Sequence, residues 1–163
     1  MGGNAIGAKG IVMRTDELVC GLQNEARMLD YAGKLDYSRR LFAENPSMIN
    51  RLVLYNYETL DELLNAEAPD ISDIDDRLVA DMESTLAVYL DTHLDGNAEY
   101  KKIIRVVSLY LSFITHKPLH PAGAFAPDGK YETVNGAVVC PLRKAELSKP
   151  ESLCKYCSGA VSN

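Results

Sequence analysis

Three of the four cysteines lie within eighteen residues near the C-terminal end of the printed sequence. Cys140, Cys154 and Cys157 are spaced C-x13-C-x2-C, whereas Cys20 lies far upstream. A gap of two residues lets the sulfurs of Cys154 and Cys157 bind one ion from a tight turn, and Cys140 supplies a third thiolate. The spacing therefore predicts a Cys-rich metal knuckle.

The segment that holds these cysteines, residues 116–163, has five of the seven prolines. Its clearest local signal is Asn135-Gly136 between β-branched residues, a pair that fits the positive φ angles of a type I′ hairpin. The rest of the segment lacks periodic apolar residues, and a piece of this size does not fold on hydrophobic burial alone. We expect it to depend on the rest of the protein and on a bound metal.

Residues 15–115, in contrast, have apolar side chains at helical spacing. Thr15 is expected to cap the first helix, and Gly33 to follow its last turn. Ser47 is expected to cap a third helix, which ends near Asn56, and a box of Thr59 and Glu62 predicts a separate short helix after it.

The most regular apolar stripe lies in the second half of the helical region. We expect its members to face the core, and they are Ile74, Leu78, Met82, Leu86 and Leu90. Asn97 is expected to cap the last long helix, which ends at Lys117-Pro118 because a residue before proline avoids the helical conformation.

The predicted fold is mainly α, a bundle of about five helices followed by an irregular C-terminal tail with a β-hairpin and a Cys-rich metal knuckle. We expect a single domain in three parts. Residues 1–14 form a flexible leader, residues 15–115 the bundle, and residues 116–163 a metal-organised tail that packs on the bundle.

A tetrahedral metal site needs a fourth ligand in addition to the three cysteines. His120 is the favoured ligand because it lies on the irregular stretch that follows the last helix, and His116 is one alternative. Cys20 is the other, although its apolar neighbours indicate a buried core thiol. Zinc is the expected metal, and an iron–sulfur cluster is the alternative because it uses a similar set of thiolates.

The composition limits which classes of partner and which cellular compartment we expect. A net charge of −6 disfavours nucleic acid, which requires clustered Lys and Arg. The longest apolar stretch, IIRVVSLYLSFI, is shorter than the roughly 20 residues that a bilayer requires, and Arg105 interrupts it. With no signal-peptide pattern at the start of the sequence, we expect a cytoplasmic protein that does not enter a membrane.

The run HPAGAFAPDGKYETVNGAVVCPLRKAELSKPESLCKYC has the His120-Pro121 step, the Cys140-Pro141 step and a closing Cys-x-x-Cys. In these features the last quarter of the chain resembles an uncharacterised archaeal family best represented in methanogens, domain of unknown function 2115, also called uncharacterised protein family 0305. The resemblance implies a helical body, a cysteine-rich tail and a cytoplasmic location. It implies no activity.

The functional prediction is a non-catalytic zinc protein whose tail forms a platform for another protein. The alternative is an enzyme or an iron–sulfur or redox protein, in which Cys140, Cys154 and Cys157 hold a metal with an open fourth position. The number of protein ligands separates the two, because structural zinc has four and catalytic zinc usually has three and a water. The sequence indicates no substrate.

Overall fold

The computed structural model describes residues 12–126 and 128–161. Over these residues the protein is mainly helical, as predicted, with small sheets beside the helices. The helices are α1 Thr15–Arg27, α2 Ala32–Glu44, α3 Met48–Asn65, α4 Asp76–His93, α5 Ala98–Tyr110 and the short α6 Arg143–Glu146. The strands are β1 Val12–Arg14, β2 Asp73–Asp75, β3 Thr133–Val134, β4 Ala137–Cys140 and β5 Ala160–Val161.

The core lies between α1, α3, α4 and α5, which contact one another along their apolar faces. Its largest fully buried side chains include Leu60, Leu63, Met82, Leu86 and Ile103. The spacing of these residues within each helix places them on one face, which is why the sequence pattern indicated a bundle. In the part of the chain that the structure describes, no helix has the length and apolarity to cross a membrane.

The first helix begins and ends differently from the prediction. Arg14 is its N-cap residue, and the Arg14 backbone N–H donates to the Glu17 carboxylate at 3.2 Å. The Thr15 hydroxyl instead donates to the Asp70 carbonyl at 2.8 Å and accepts from the Ser72 N–H at 3.0 Å. Thr15 therefore connects the start of α1 to the residues just before β2. Gly33 does not end α1, because the helix stops at Arg27 and Gly33 lies inside α2.

Strands β1 and β2 form a two-stranded antiparallel sheet, with Met13 opposite Ile74. This sheet joins the start of α1 to the start of α4. Of the predicted leader, residues 1–11 lie outside the described residues, and Val12–Arg14 form β1.

The third and fourth predicted helices are one helix, α3, capped by Ser47 as expected, since its hydroxyl accepts from the Asn50 N–H at 3.2 Å. The prediction of a break at Thr59 is wrong. The Thr59 hydroxyl donates to the Tyr55 carbonyl at 2.8 Å, one turn back, and so stays within the helix.

Helix α4 is capped by Asp75, which accepts from the Arg77 N–H at 3.0 Å. Four of the five predicted stripe residues are buried, but Leu78 is 51% exposed and Val79 is buried in its place. Ile74 lies on β2, before the helix begins at Asp76. Within α4, each step of four residues turns about 40° farther around the helix axis, which carries Leu78 away from the buried face.

Helix α5 is capped by Asn97 as predicted, with the Tyr100 N–H donating to its side chain at 3.0 Å. Residues Leu111–Thr115 continue it as a π-helical turn, which ends at His116 in the left-handed conformation, φ 51°. The chain then leaves the bundle through Lys117-Pro118.

The predicted hairpin is confirmed. Strands β3 and β4 pair antiparallel around Asn135 and Gly136, whose φ angles of 49° and 79° are those of a type I′ turn. Strand β5 adds to β4 in parallel, with Cys140 opposite Val161, so the end of the described chain joins the hairpin sheet.

Candidate metal centre

The Cys154–Cys157 segment forms a compact turn. Residues Leu153–Tyr156 make one 3₁₀ turn, which begins where the Ser152 hydroxyl accepts from the Cys154 N–H at 3.1 Å. The turn closes where the Cys157 N–H donates to the Cys154 carbonyl at 3.2 Å. The two-residue spacing therefore folds as the tight turn that the sequence predicted.

The sulfur of Cys157 accepts two backbone hydrogen bonds. The N–H groups of Leu119 and Gly159 each lie 3.4 Å from Sγ. Leu119 belongs to the loop that follows the last bundle helix, so this sulfur already joins that loop to the Cys-x-x-Cys turn. Metal-bound thiolates commonly accept hydrogen bonds of this kind, because they carry negative charge.

Cys140 lies at the end of β4 and close to Cys157. A Cβ atom built at Gly159 would be 3.5 Å from Cys140 Cβ and 3.6 Å from Cys157 Sγ, so both cysteines border the same point. The absence of a side chain at Gly159 leaves the space between them open.

Cys154 is partly buried and lies in the 3₁₀ turn, three residues before Cys157. Burial raises the pKa of the Cys154 thiol, the Ser152 hydroxyl opposes this shift, and Cys157 and Cys140 raise the pKa further. The structure thus places Cys140 and Cys157 on either side of Gly159, and Cys154 in the same turn as Cys157.

His120 lies on the same side of the tail. It borders a cavity of about 500 Å³ together with Cys140 and Cys157. Its ring packs edge-on against Phe125, with ring centroids 5.0 Å apart, and burial lowers the pKa of its imidazole. A neutral imidazole is the form that binds a metal.

The two alternative fourth ligands lie elsewhere. His116 is exposed at the end of the π-helical turn, and Cys20 is exposed on α1. Neither borders the cavity that holds His120, within the described residues. The expectation that Cys20 is a buried core thiol is wrong, because Leu18, Val19 and Leu22 occupy the buried face of α1 and Cys20 falls on the opposite side.

Cys140, Cys157 and His120 border one cavity without forming a coordination sphere. Across residues 12–126 and 128–161, no group of three or more His, Cys, Asp and Glu side chains is arranged to hold a metal ion. The zinc and iron–sulfur predictions thus remain predictions, as does the metal knuckle.

Sequence reasoning missed the residues that fix this region. Arg143 donates from Nη1 to the Cys157 carbonyl, and Tyr156 donates from its hydroxyl to the Asp81 carboxylate on α4. The Tyr55 hydroxyl donates to the Pro118 carbonyl at 2.6 Å. These partners lie far apart in the sequence or on irregular segments, so no periodic pattern marks them.

The comparisons extend the resemblance beyond the tail. A family model described as "Uncharacterized protein conserved in archaea (DUF2115)" matches residues 22–160. The chain belongs to this family. The match spans most of the sequence, including the helices, and not only the C-terminal quarter in which the resemblance was noted.

Similar proteins come from methanogens. A UPF0305 protein of Methanothermobacter thermautotrophicus is 32% identical over 59 residues, 36% of each chain, and one of Methanococcus maripaludis strain S2 is 32% identical over 103 residues. That second alignment covers 61% of this chain and 62% of the relative, so the alignments span from about a third to just under two thirds of these relatives. A UPF0305 protein of M. maripaludis strain C5 is 26% identical over 83% of this chain and 78% of its own length. No solved structure matches the chain.

Proposed function

We propose that this protein binds one zinc ion through Cys140, Cys154, Cys157 and His120, and that the ion orders the C-terminal tail as a platform for a protein partner. One observation carries the proposal. Of the buried apolar side chains among the described residues, only Ala124 belongs to the segment after residue 115. A segment with so little core of its own needs another source of stability.

The neighbouring cysteines are that source in this proposal. Two thiols, of Cys140 and Cys157, and the His120 imidazole border a common cavity, and Cys154 lies in the same turn as Cys157. Tetrahedral zinc with bonds of about 2.3 Å to sulfur requires the ligand sulfurs to be only about 4 Å apart. Zinc binding would therefore require these four side chains to converge.

The chemistry of the ligand set favours zinc. Three thiolates and one imidazole form a closed structural site, and structural zinc contributes on the order of 10–16 kcal/mol in small peptides. His116 and Cys20 are less suitable as fourth ligands because both are exposed away from the cavity. We also propose a cytoplasmic location, where thiols stay reduced and free to bind metal.

The platform role is supported by exposed apolar side chains in the same tail. They are Tyr131, Val134, Leu142 and Leu147, which are 41–56% exposed. Exposed apolar side chains of this kind are what a protein-binding surface would supply, if the folded tail brings them into one patch.

A second candidate is a metal-dependent enzyme or an iron–sulfur or redox protein with an open fourth position. The cavity of about 500 Å³ favours it, because a metal bound by Cys140 and Cys157 would face open space. In that case His120 would contact a substrate and would not bind the metal.

Metal analysis of anaerobically purified protein tests the proposal. We expect one zinc per chain and no visible colour, and Cys154→Ser should lose the zinc while Cys20→Ser keeps it. Cys154→Ser should also make residues 116–161 sensitive to protease while the helical circular dichroism remains. If the purified protein is brown and contains iron, the bound group is an iron–sulfur cluster and not zinc. If the protein contains neither metal, the proposal is contradicted.

The number of protein ligands separates the two candidates. X-ray absorption on the zinc form should give three sulfur ligands and the multiple-scattering features of one imidazole, and His120→Ala should abolish the imidazole features. If His120→Ala leaves the spectrum unchanged, His120 is not a ligand and the open-site candidate is favoured.

A further inference from the structure

The cavity beside the proposed ligands is much larger than an ion requires. It has a volume of about 500 Å³. A zinc ion with ligand bonds of about 2.0–2.3 Å occupies only a small part of this volume. Binding sites for small organic molecules measure roughly 300–1,000 Å³. Metal binding therefore leaves most of this space without a role.

The lining of the cavity is mostly apolar. It includes Pro118, Pro121, Ala124 and Phe125 from the loop after the bundle, and Val138 of β4. Phe125 is held in place because its ring packs against His120. Aromatic and proline rings pack closely on another flat ring, so these walls suit a planar apolar group.

Two glycines allow this loop to fold back on itself. Gly123 borders the cavity at φ 74°, and a Cβ there would lie 2.0 Å from the Gly129 carbonyl oxygen. Gly129 in turn packs against the Arg51 guanidinium of α3, where a Cβ would lie 3.0 Å from Nη2. The loop that contributes the apolar lining thus contacts the bundle at Arg51.

The charged residues at the cavity have opposite signs. Lys130 and Glu132 both border it, and the Lys130 ammonium lies 3.7 Å from the Asp128 carboxylate. These charges give no net positive potential that would attract an anion. They do offer both a donor and an acceptor to a neutral polar group.

We propose that this cavity binds a small neutral aromatic molecule with a hydrogen-bonding edge, of the size of a substituted indole. In this proposal the ring contacts Phe125 and Val138, and its polar edge lies toward solvent, where Lys130 and Glu132 are exposed. This binding site goes beyond the zinc platform, and it does not require the ligand to coordinate the metal.

Fluorescence titration tests the proposal, because the chain has no tryptophan and indole emission comes from the probe alone. The probes are indole-3-acetamide, which is neutral, and indole-3-acetate, which differs by its negative charge. We expect saturable binding of the acetamide to the metal-loaded protein and binding of the acetate that is weaker by roughly tenfold. Equal or tighter binding of the acetate would overturn the choice of a neutral ligand.

Two matched valines locate the binding site. Val138→Phe places a bulky ring where the ligand is proposed to lie and should weaken acetamide binding by roughly tenfold or more. Val134→Phe is the same change on the neighbouring strand, at a residue that is 44% exposed and does not border the cavity, and it should leave binding unchanged. If Val138→Phe does not fold, Phe125→Ala removes one wall and should weaken binding severalfold.

The outcomes separate this proposal from the zinc proposal, because zinc is measured on the same samples. Zinc-loaded protein that binds neither probe overturns the cavity proposal and leaves the metal site standing. Acetamide binding without zinc supports the cavity proposal and contradicts the metal site. Acetamide binding that Val138→Phe and Phe125→Ala both leave unchanged overturns the cavity proposal, because the probe then binds elsewhere.

Discussion

The phenol of Tyr156, in the Cys-x-x-Cys turn, donates a hydrogen bond to the carboxylate of Asp81 on helix α4. The Lys155 ammonium lies 3.6 Å from the same carboxylate. Cys154 and Cys157 flank these two residues, so one acidic side chain of the bundle holds the turn that carries two of the proposed metal ligands. The Asp81 pKa is lowered by the Tyr156 hydrogen bond and by Lys155, which agrees with an ionised acceptor at neutral pH.

Removing this acceptor should release the turn from the bundle. We expect Asp81→Asn to increase amide hydrogen exchange across residues 153–157 while exchange in α1 and α5 stays the same. Mass spectrometry after pulsed exchange measures this. Asp91→Asn is the matched control on the same helix, because Asp91 pairs with Lys101 of α5 and not with the tail. An unchanged turn in Asp81→Asn would show that the carboxylate does not hold it.

A glycine in the tail loop should tolerate no side chain. Gly123→Ala places a Cβ 2.0 Å from the Gly129 carbonyl oxygen at a φ of 74°. The left-handed conformation alone costs about 1–2 kcal/mol for an L-residue, and the clash adds to it. We expect the loop to open and the cavity wall to be lost, which fluorescence titration with the indole probe and urea unfolding both detect.

Gly136→Ala is the control that separates the clash from the backbone angle. Gly136 has a similar φ of 79°, but a Cβ there would meet no atom within 4 Å. Gly136→Ala should therefore lower the free energy of unfolding by only about 1–2 kcal/mol, the cost of the left-handed conformation. Equal effects of the two substitutions would show that the Gly123–Gly129 contact does not constrain the loop.

Two leucines on helix α4 test the corrected apolar stripe. Leu86 is 1% exposed and Leu78 is 51% exposed, although the sequence pattern placed both toward the core. Leu86→Ala should lower the free energy of unfolding by about 2–5 kcal/mol because it leaves a cavity. Leu78→Ala should change it by only about 0.5 kcal/mol. Chemical denaturation measures both, and a large effect at Leu78 would restore the original stripe.

The exposure of Leu78 and the burial of Leu86 illustrate a limit of sequence patterns, which predict the helices better than the side chains that each helix buries. Periodicity identified the bundle, and turn chemistry identified the caps Ser47 and Asn97 and the hairpin at Asn135-Gly136, because these signals are local. The break at Thr59 was wrong because a threonine within a helix can bond back to the preceding turn instead of starting a new helix. The residues around a threonine do not show whether its hydroxyl caps a new helix or bonds to the carbonyl one turn back in the same helix.

The site was predictable only in part, for a similar reason. The two-residue spacing of Cys154 and Cys157 predicted the tight turn that joins them, since that signal is local. The metal site itself stays a prediction. The roles of Tyr55, Asp81 and Arg143 depend on tertiary contacts with the tail, and no sequence spacing encodes those contacts. The cavity is equally non-local, because its walls come from a loop and from a strand that meet only in the folded chain.

An ion pair between α2 and α5 should give a pH-dependent contribution to stability. The Lys34 ammonium lies 2.8 Å from the Glu99 carboxylate, and this hydrogen bond lowers the Glu99 pKa. A carboxyl with a lowered pKa in the folded state stabilises the fold above its unfolded pKa of about 4.3, and the contribution is lost as pH falls through the folded value.

Unfolding at several pH values tests this. Glu99→Gln should be less stable than the wild type at pH 7, and the difference should vanish at acidic pH. Glu58→Gln is the comparison variant, because Glu58 forms a longer ion pair with Arg39 at 3.9 Å, and its difference from the wild type should be smaller. A Glu99→Gln difference that persists unchanged in acid would contradict the ion-pair explanation.

Arg143 should act on the proposed metal site without binding the metal. Its guanidinium donates to the Cys157 carbonyl, and this contact joins α6 to the end of the Cys-x-x-Cys turn. Groups that orient metal ligands typically change metal affinity by 10–100-fold when they are removed. We therefore expect Arg143→Ala to bind zinc roughly tenfold more weakly, measured by competition with a chromophoric chelator, while the sulfur coordination in the X-ray absorption spectrum stays the same. Lys144→Ala removes a neighbouring positive charge that has no such contact with Cys157, so it should leave affinity unchanged. Equal weakening by both substitutions would assign the effect to charge, whereas weakening by Arg143→Ala alone would assign it to the position of Cys157.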